Sequence, residues 1–327
     1  HLSKAAHMNK KIHQLLSAVP DGSVKIINAS GAVQRQAQTR GKGLILSFQV
    51  FAGVTLEYNC FQCDSVHFMH RPLDHVLEIN HCHEGRVGWD MKSGSTIYLG
   101  AGDLAMQPMD CCADSLMRFP SGCYEGIQIT IDLATLDPRV TDTLQQHDIS
   151  ASKLRQRYCS HQVFSIPANA HIESIFAILY HQDPPSAFLH QIKVMELLAY
   201  LADLDPHAQK AVSEWNTEQT AIIQQMHDFL IAHPQQRYTI EALSRRFLIN
   251  TSTLKSAFKA IYGMPIAAYM KEFRMHKAMK LLQDPSLSIA QIAAMLGYES
   301  QSKFARAFKE HAGVLPKDYR KEIRERQ

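Results

Sequence analysis

Two stretches toward the C-terminal end repeat one pattern about fifty residues apart, and no other feature of the chain constrains its fold as tightly. The first runs from Thr239 to Gly263 and the second from Ser288 to Gly313. Each reads as a short amphipathic helix, a tight turn and a second helix. Thr239 and Ser288 are good N-cap residues ahead of apolar positions at helical spacing, Ile240/Leu243 and Ile289/Ile292, with Glu241 and Gln291 near the caps. In the second copy Leu296-Gly297-Tyr298 closes the turn, since glycine takes a positive φ at little steric cost, and Ser300 or Ser302 can cap the next helix. The first copy has no glycine there; Phe247-Leu248-Ile249 stands in its place, with Asn250 or Thr251 able to cap.

The second helices carry Leu254/Phe258 and Phe304/Phe308 at i, i+4, a narrow stripe that must face inward. The other side of the first copy carries Thr251, Ser252, Thr253, Lys255, Ser256 and Lys259. The equivalent side of the second carries Ser300, Gln301, Ser302, Lys303, Arg306 and Lys309. Hydroxyl, carboxamide and cationic groups in this arrangement suit base edges and phosphates in a major groove. One such helix pair is a weak signal. Two, joined by a helix over about residues 266–283, allow both second helices to be held on one side of a duplex, about 34 Å apart.

The residues Arg274, Ala278, Leu281-Leu282, Ile289, Ile292-Ala293, Leu296-Gly297-Tyr298, Ser300, Ser302, Phe304, Arg306, Phe308-Lys309, Gly313, Pro316 and Tyr319-Arg320 together resemble the signature of the AraC/XylS family of bacterial transcription regulators. The resemblance covers about residues 217–323. It implies an all-helical domain whose two helix-turn-helix units enter successive major grooves of promoter DNA. The first copy departs from the second in its turn and in having Gly263-x-Pro265 where the second has Gly313-x-x-Pro316.

Charge follows the repeat. From Thr217 onward there are 17 Lys and Arg against 10 Asp and Glu, net +7, while the rest of the chain has 17 against 21, net −4. The whole-chain value of +3 hides this asymmetry, which suits phosphate neutralisation by the C-terminal part. At 327 residues with 46% hydrophobic and 20% charged residues, two ordinary domains are expected. No apolar run approaches the ~20 residues needed to span a membrane and no signal peptide is visible, so a cytoplasmic protein without membrane attachment is expected. Residues 1–7 (HLSKAAH) read as a remnant ahead of Met8, and seven cysteines, an odd number, argue against a disulfide framework.

The N-terminal half reads as β-structure. The runs 43–51, 75–80, 95–99 and 125–131 are short, rich in β-branched or aromatic residues and separated by Gly- and Asp-containing turns, a spacing that suggests a sandwich or barrel. Leu99-Gly-Ala-Gly-Asp-Leu104 resembles the Gly-Asp turn of cupin barrels. In the AraC family such a barrel commonly precedes the DNA-binding domain and receives a small effector, so the resemblance implies an effector-sensing domain at 8–165. The wording around 78–86 and 98–104 is similar to the PchR-type, siderophore-responsive branch, which would imply a ferric chelate. A pocket fed by Arg86, Trp89, Tyr98 and Met106 would equally receive a sugar, an aromatic or a fatty acid. An interior filled by Phe, Leu and Ile would leave no effector, and the domain would only dimerise.

Helical periodicity over 171–180 and 187–201 defines a connector at 166–216. Its apolar residues either cover the barrel or, through Ile192, Met195, Leu198 and Leu201, pair two chains into a homodimer. Residues 203–215, with Pro206, read as a linker to a DNA-binding domain at 217–327. Cys60-x-x-Cys63 with His67 and His70, and His81 with His83, offer metal-ligand chemistry. The spacings do not match closed sites, and His81 and His83 read as polar strand-end residues, so no metal is assigned. Cys111-Cys112 would suit a redox sensor, although small-residue packing is the commoner role. Without a Gly-rich phosphate loop or a nucleophile elbow, no catalytic residue and no enzyme activity are expected.

The fold class expected is α+β: a cupin-like barrel with a helical connector, then an all-α domain with two helix-turn-helix motifs. The function expected is a sequence-specific, effector-responsive activator that binds promoter DNA and RNA polymerase. The alternative is a small-molecule or metal-binding cupin protein whose helical part mediates protein contacts.

Overall fold

A computed structural model describes residues 10–28, 36–69, 73–112, 116–146, 150–158, 163–181, 186–205 and 214–326. The chain divides into two compact units, 1–217 and 218–327.

The first unit is built on two sheets. The strands in chain order are β1 (Ser23–Asn28), β2 (Gln36–Thr39), β3 (Lys42–Phe51), β4 (Val54–Gln62), β5 (Ser65–Met69), β6 (Val76–Gly85) and β7 (Val87–Asp90). They continue with β8 (Ser95–Leu99), β9 (Leu104–Pro108), β10 (Leu116–Arg118), β11 (Tyr124–Asp132), β12 (Phe164–Ile166) and β13 (Glu214–Asn216). One sheet has the order β1-β3-β4-β11-β6-β9-β12 and the other β13-β8-β7-β10-β5-β2. All described pairings are antiparallel except β1 with β3. Its helices are α1 (Lys10–Ser17), α2 (Pro138–Gln146), α3 (Ala151–Tyr158), α4 (Ala170–His181) and α5 (Ala187–Asp203).

The seven-stranded sheet carries a core on each of its faces. Alternation along each strand sends neighbours to opposite cores. Leu44, Leu56, Tyr58, Ile79, Leu104 and Met106 join the helix-side cluster with Ile172, Phe176, Leu179, Leu197, Leu198 and Leu201. Ile45, Phe61, Cys82 and Ala105 join the other core with Val87, Trp89, Ile97 and Phe119. The turn from 99 to 104 is closed by Asp103, whose carboxylate accepts from the Gly100 N–H at 2.7 Å and the Ala168 N–H at 3.0 Å.

Several expectations are corrected. Cys60 and Cys63 belong to different cores, because the odd spacing across the end of β4 places them on opposite sides. They cannot share a metal; His67 lies on β5 and His70 falls outside the described residues. His81 and His83 are within β6, not at a strand end. His81 stacks on Phe176 at 4.0 Å and bonds the Tyr180 hydroxyl at 2.9 Å, while His83 stacks on Tyr180 at 4.0 Å. Burial lowers their pKa values to about 3 and about 4. Leu198 and Leu201 point into the helix-side core, so on α5 only Ile192 remains exposed among the four expected dimer residues, with Phe188 one turn earlier. Glu214 and Trp215, expected in the linker, form with Asn216 a strand that pairs with β8.

The second unit contains α6 (Thr217–Ala232), α7 (Ile240–Phe247), α8 (Thr251–Tyr262), α9 (Ile266–Leu281), α10 (Ile289–Met295), α11 (Gln301–Ala312) and α12 (Pro316–Arg326). Arg274 of α9 is buried and donates to the carbonyls of Pro234 at 2.7 Å and Gln236 at 3.1 Å, fixing the α6–α7 connection. Gly297 packs on that connection: a Cβ there would come within 2.1 Å of the Gln235 carbonyl. Arg320 donates to Leu282 O at 3.2 Å and ties α12 to the end of α9.

Candidate nucleic-acid interface

Each helix pair is made by local rules. Thr239 accepts from the Ala242 N–H at 3.1 Å to start α7, and Asn250 accepts from the Thr253 N–H at 2.8 Å to start α8. Leu248 holds the intervening turn at φ 53°, the one described non-glycine residue with positive φ, with its side chain 91% exposed. The Ser244 hydroxyl donates to Ile249 O at 2.6 Å and steadies this strained turn. In the second pair Ser288 and Gln291 form a reciprocal capping box, at 3.1 and 2.8 Å, and Gly297 takes the positive φ of 74°. Ser300 accepts from the Lys303 N–H at 3.2 Å to start α11. Both second helices end at a left-handed glycine, Gly263 and Gly313.

Behind α8, Leu254, Ala257, Phe258 and Ile261 are fully buried. Behind α11, Phe304 and Phe308 are fully buried, edge-on to Tyr298 and Tyr319 at 5.5 and 5.4 Å. Inward anchoring leaves the opposite faces outward. On α8, Ser252, Lys255, Ser256 and Lys259 are exposed and Thr251 and Thr253 half-buried; on α11 and its cap, Ser300, Gln301, Ser302, Lys303, Arg306 and Lys309 are all exposed. Lys303 pairs with Glu299, and Arg306 with Glu310 at 3.3 Å; Glu310 also meets Lys271 of α9 at 3.2 Å. These cations hold both carboxyls below their usual range. Exposed pairs of this kind are weak, so a phosphate can displace the carboxylate.

The first unit contains a partly open cavity of about 80 Å³ lined on the sheet side by Glu57, Asn59, Glu78, Asn80, Gln107 and Gln128. Trp89, Phe68, Ile45, Met109, Cys112, Leu116 and Met117 complete the described lining. Gln107 organises it: its Oε1 accepts from the Trp89 indole at 2.8 Å, and its amide lies 3.5 Å from Glu78, which also accepts from Gln128 at 3.1 Å. Of the four residues expected to feed a pocket, Trp89 lines this one. Met106 lies on the opposite, helix-facing side of β9, where its neighbour Gln107 faces the cavity. The Tyr98 ring packs over Gly88, where a Cβ would come within 2.4 Å of it. The Arg86 guanidinium sits against Gly100 beside Asp103, and the residue is half-buried. The polar lining escaped sequence reasoning, although Glu57/Asn59 and Glu78/Asn80 carry a signal: polar residues two apart on otherwise apolar strands share one face.

A capped, twice-repeated helix pair with a cationic outer face on a basic unit defines a DNA-binding helix-turn-helix domain. Residues 243–322 match the family model described as "Helix-turn-helix domain". The chain is 27% identical over 145 residues to the HTH-type transcriptional regulator ExsA of Pseudomonas aeruginosa, covering 44% of this chain and 51% of that protein. It is 25% identical over 229 residues to the Msm operon regulatory protein of Streptococcus mutans, covering 70% and 78% respectively. It is 30% identical over 145 residues to a putative AraC-like transcription regulator of Streptomyces antibioticus, covering 44% and 48%. Residues 243–322 are thus a helix-turn-helix domain, similar to those of transcription regulators that include an AraC-like one. The match spans about half the length of the first of these relatives.

Proposed function

We propose that the whole chain is an effector-responsive transcription regulator of the AraC family, acting as an activator on promoter DNA. The observation that carries this reading is the pairing of α8 and α11. Each is N-capped, anchored inward by phenylalanine and leucine or phenylalanine alone, and packed against the shared helix α9, with its polar face free. In this reading both pairs are helix-turn-helix motifs. Ser252, Ser256, Gln301 and Ser302, with Thr251, Thr253 and Ser300 at the helix starts, meet base edges and backbone. Lys255, Lys259, Lys303, Arg306 and Lys309 neutralise phosphates or reach guanine.

The first unit, as a cupin-like barrel, would receive the effector in the cavity beside Trp89. Its size and its carboxylate and carboxamide lining favour a small, hydrogen-bonding molecule over a bulky ferric chelate. Effector binding shifts the regulator only insofar as the two states differ in affinity for it. A homodimer would use the exposed Phe188 and Ile192 on α5, and activation would proceed through RNA polymerase.

The test is fluorescence anisotropy of the full chain on its upstream intergenic DNA, with scrambled DNA as competitor at two salt concentrations. Selective binding that weakens with salt is expected; equal affinity for scrambled DNA, with and without candidate effectors, would contradict the reading. Trp89→Phe should change the effector response and leave effector-free DNA affinity unaltered.

A further inference from the structure

A second cluster lies on the helix side of the seven-stranded sheet, away from the cavity. His13 of α1, Cys60 of β4 and Glu125 of β11 bring an imidazole nitrogen, a thiol sulfur and a carboxylate oxygen within 4.8 Å of one another. Cys60 and Glu125 are direct partners in the β4/β11 register and are buried, so the sheet sets their separation. Cys60 Sγ lies 3.7 Å from Glu125 Oε1, and His13 Nε2 lies 2.9 Å from the same oxygen. Close as it is, the His13 nitrogen is buried and makes no aligned hydrogen bond among the described residues. Convergence without alignment is the arrangement of lone-pair donors aimed at a shared point.

We propose that His13, Cys60 and Glu125 form a binding site for a thiophilic divalent cation of the zinc type. The donor set is what such a cation selects, since thiolate and imidazole favour zinc over magnesium or calcium. Ordinary zinc bond lengths place tetrahedral S–O neighbours about 3.6 Å apart, close to the 3.7 Å between Cys60 and Glu125, and N–O neighbours about 3.4 Å apart, so His13 moves back from its 2.9 Å contact with Glu125 as the cation enters. Three protein ligands leave a fourth position for water or for a neighbour. Glu84, in register with Glu125, and Cys123 both act electrostatically on the Cys60 thiol and are candidates for it.

Binding replaces the thiol proton of Cys60 with the cation, and that proton leaves to solvent. Burial raises the Cys60 thiol well above its ordinary value and raises the Glu125 carboxyl as well. The bound cation supplies the positive charge that makes both anionic forms stable there. Because Ile12 and Leu16 of α1 already pack into the helix-side core, the cation would tie α1 to β4 and β11. The site stands independently of DNA binding.

The test is equilibrium titration of the full chain with zinc against a chromophoric chelator, paired with cobalt titration read by visible absorption. We expect one equivalent held through Cys60, seen as a thiolate-to-cobalt charge-transfer band. His13→Ala, in a partly exposed position that folding tolerates, should weaken zinc by more than about tenfold, and Cys60→Ala should abolish the band. Cys63→Ala, on the other side of the sheet, should leave both unchanged. A chain that takes up no zinc, a cobalt complex without the thiolate band, or an affinity indifferent to His13→Ala would each overturn the proposal.

Discussion

The two units of this molecule keep their chemistry in opposite places. The helical unit displays it: aromatic residues of α8 and α11 are turned in, and serines, lysines and an arginine are turned out. The sheet-rich unit hides it, with Glu57, Glu78, Asn59, Asn80 and Gln107 all buried and His81 and His190 held neutral in its core. The difference teaches that the first suits a large polyanion arriving from outside, whereas the second suits something small enough to enter. Buried polar groups also make the sheet-rich unit the more pH-sensitive of the two.

That contrast can be broken by acid. The pKa values of His81, His83 and His190 are lowered by burial to about 3, about 4 and about 4. The unfolded imidazole, near 6.5, binds a proton that the folded one refuses, so stability is full above about pH 6.5 and is lost as pH falls toward the folded values. The His81 shift alone corresponds to roughly 5 kcal/mol at most. Circular dichroism on acidification should show the sheet signal failing first; loss of the helical unit first would reverse the comparison.

Core truncation in the helical unit has a similar size. Phe304→Ala should cost about 3–5 kcal/mol, lowering the helical transition in calorimetry while the sheet transition stays in place. A shift of both together would mean that the units unfold as one. Smaller effects belong to the outer face: Lys255→Ala and Arg306→Ala should each flatten the log–log salt dependence of DNA binding by about 0.9 without moving either transition. An unchanged slope in both would remove those side chains from the phosphate contacts. Smallest is the turn of the first pair. Leu248→Gly should stabilise the helical unit by about 1 kcal/mol by relieving its positive φ, measured by denaturant midpoint, whereas Gly297→Ala should destabilise it because its Cβ would meet the Gln235 carbonyl.

Legibility in the sequence follows the same division. In the helical unit, Thr239, Asn250, Ser288 and Ser300 announce helix starts within four residues of the bonds they make, so caps and stripes can be read one helix at a time. Leu248 is harder to read, because an exposed leucine enters the left-handed region only where the turn, tied by Ser244 to Ile249 O, requires it. The strands β3, β6, β8 and β11 were readable as β-branched runs, but which face of each meets which neighbour was not. That is why the sequence points Met106 at the pocket while Gln107 lines it, and why it leaves Leu198 and Leu201 open between covering the sheet, as they do, and pairing two chains. The cluster of His13, Cys60 and Glu125 had no local signal at all, since it exists only through the β4/β11 register and the docking of α1.

The central claim is that both helix pairs read DNA, and base-level footprinting of the full chain on its upstream DNA tests it most directly. The account predicts two protected major-groove patches about one helical turn apart, one lost on substitution of Ser252 and Lys255 and the other on substitution of Ser302 and Arg306. A single patch that survives changes on either helix would contradict it.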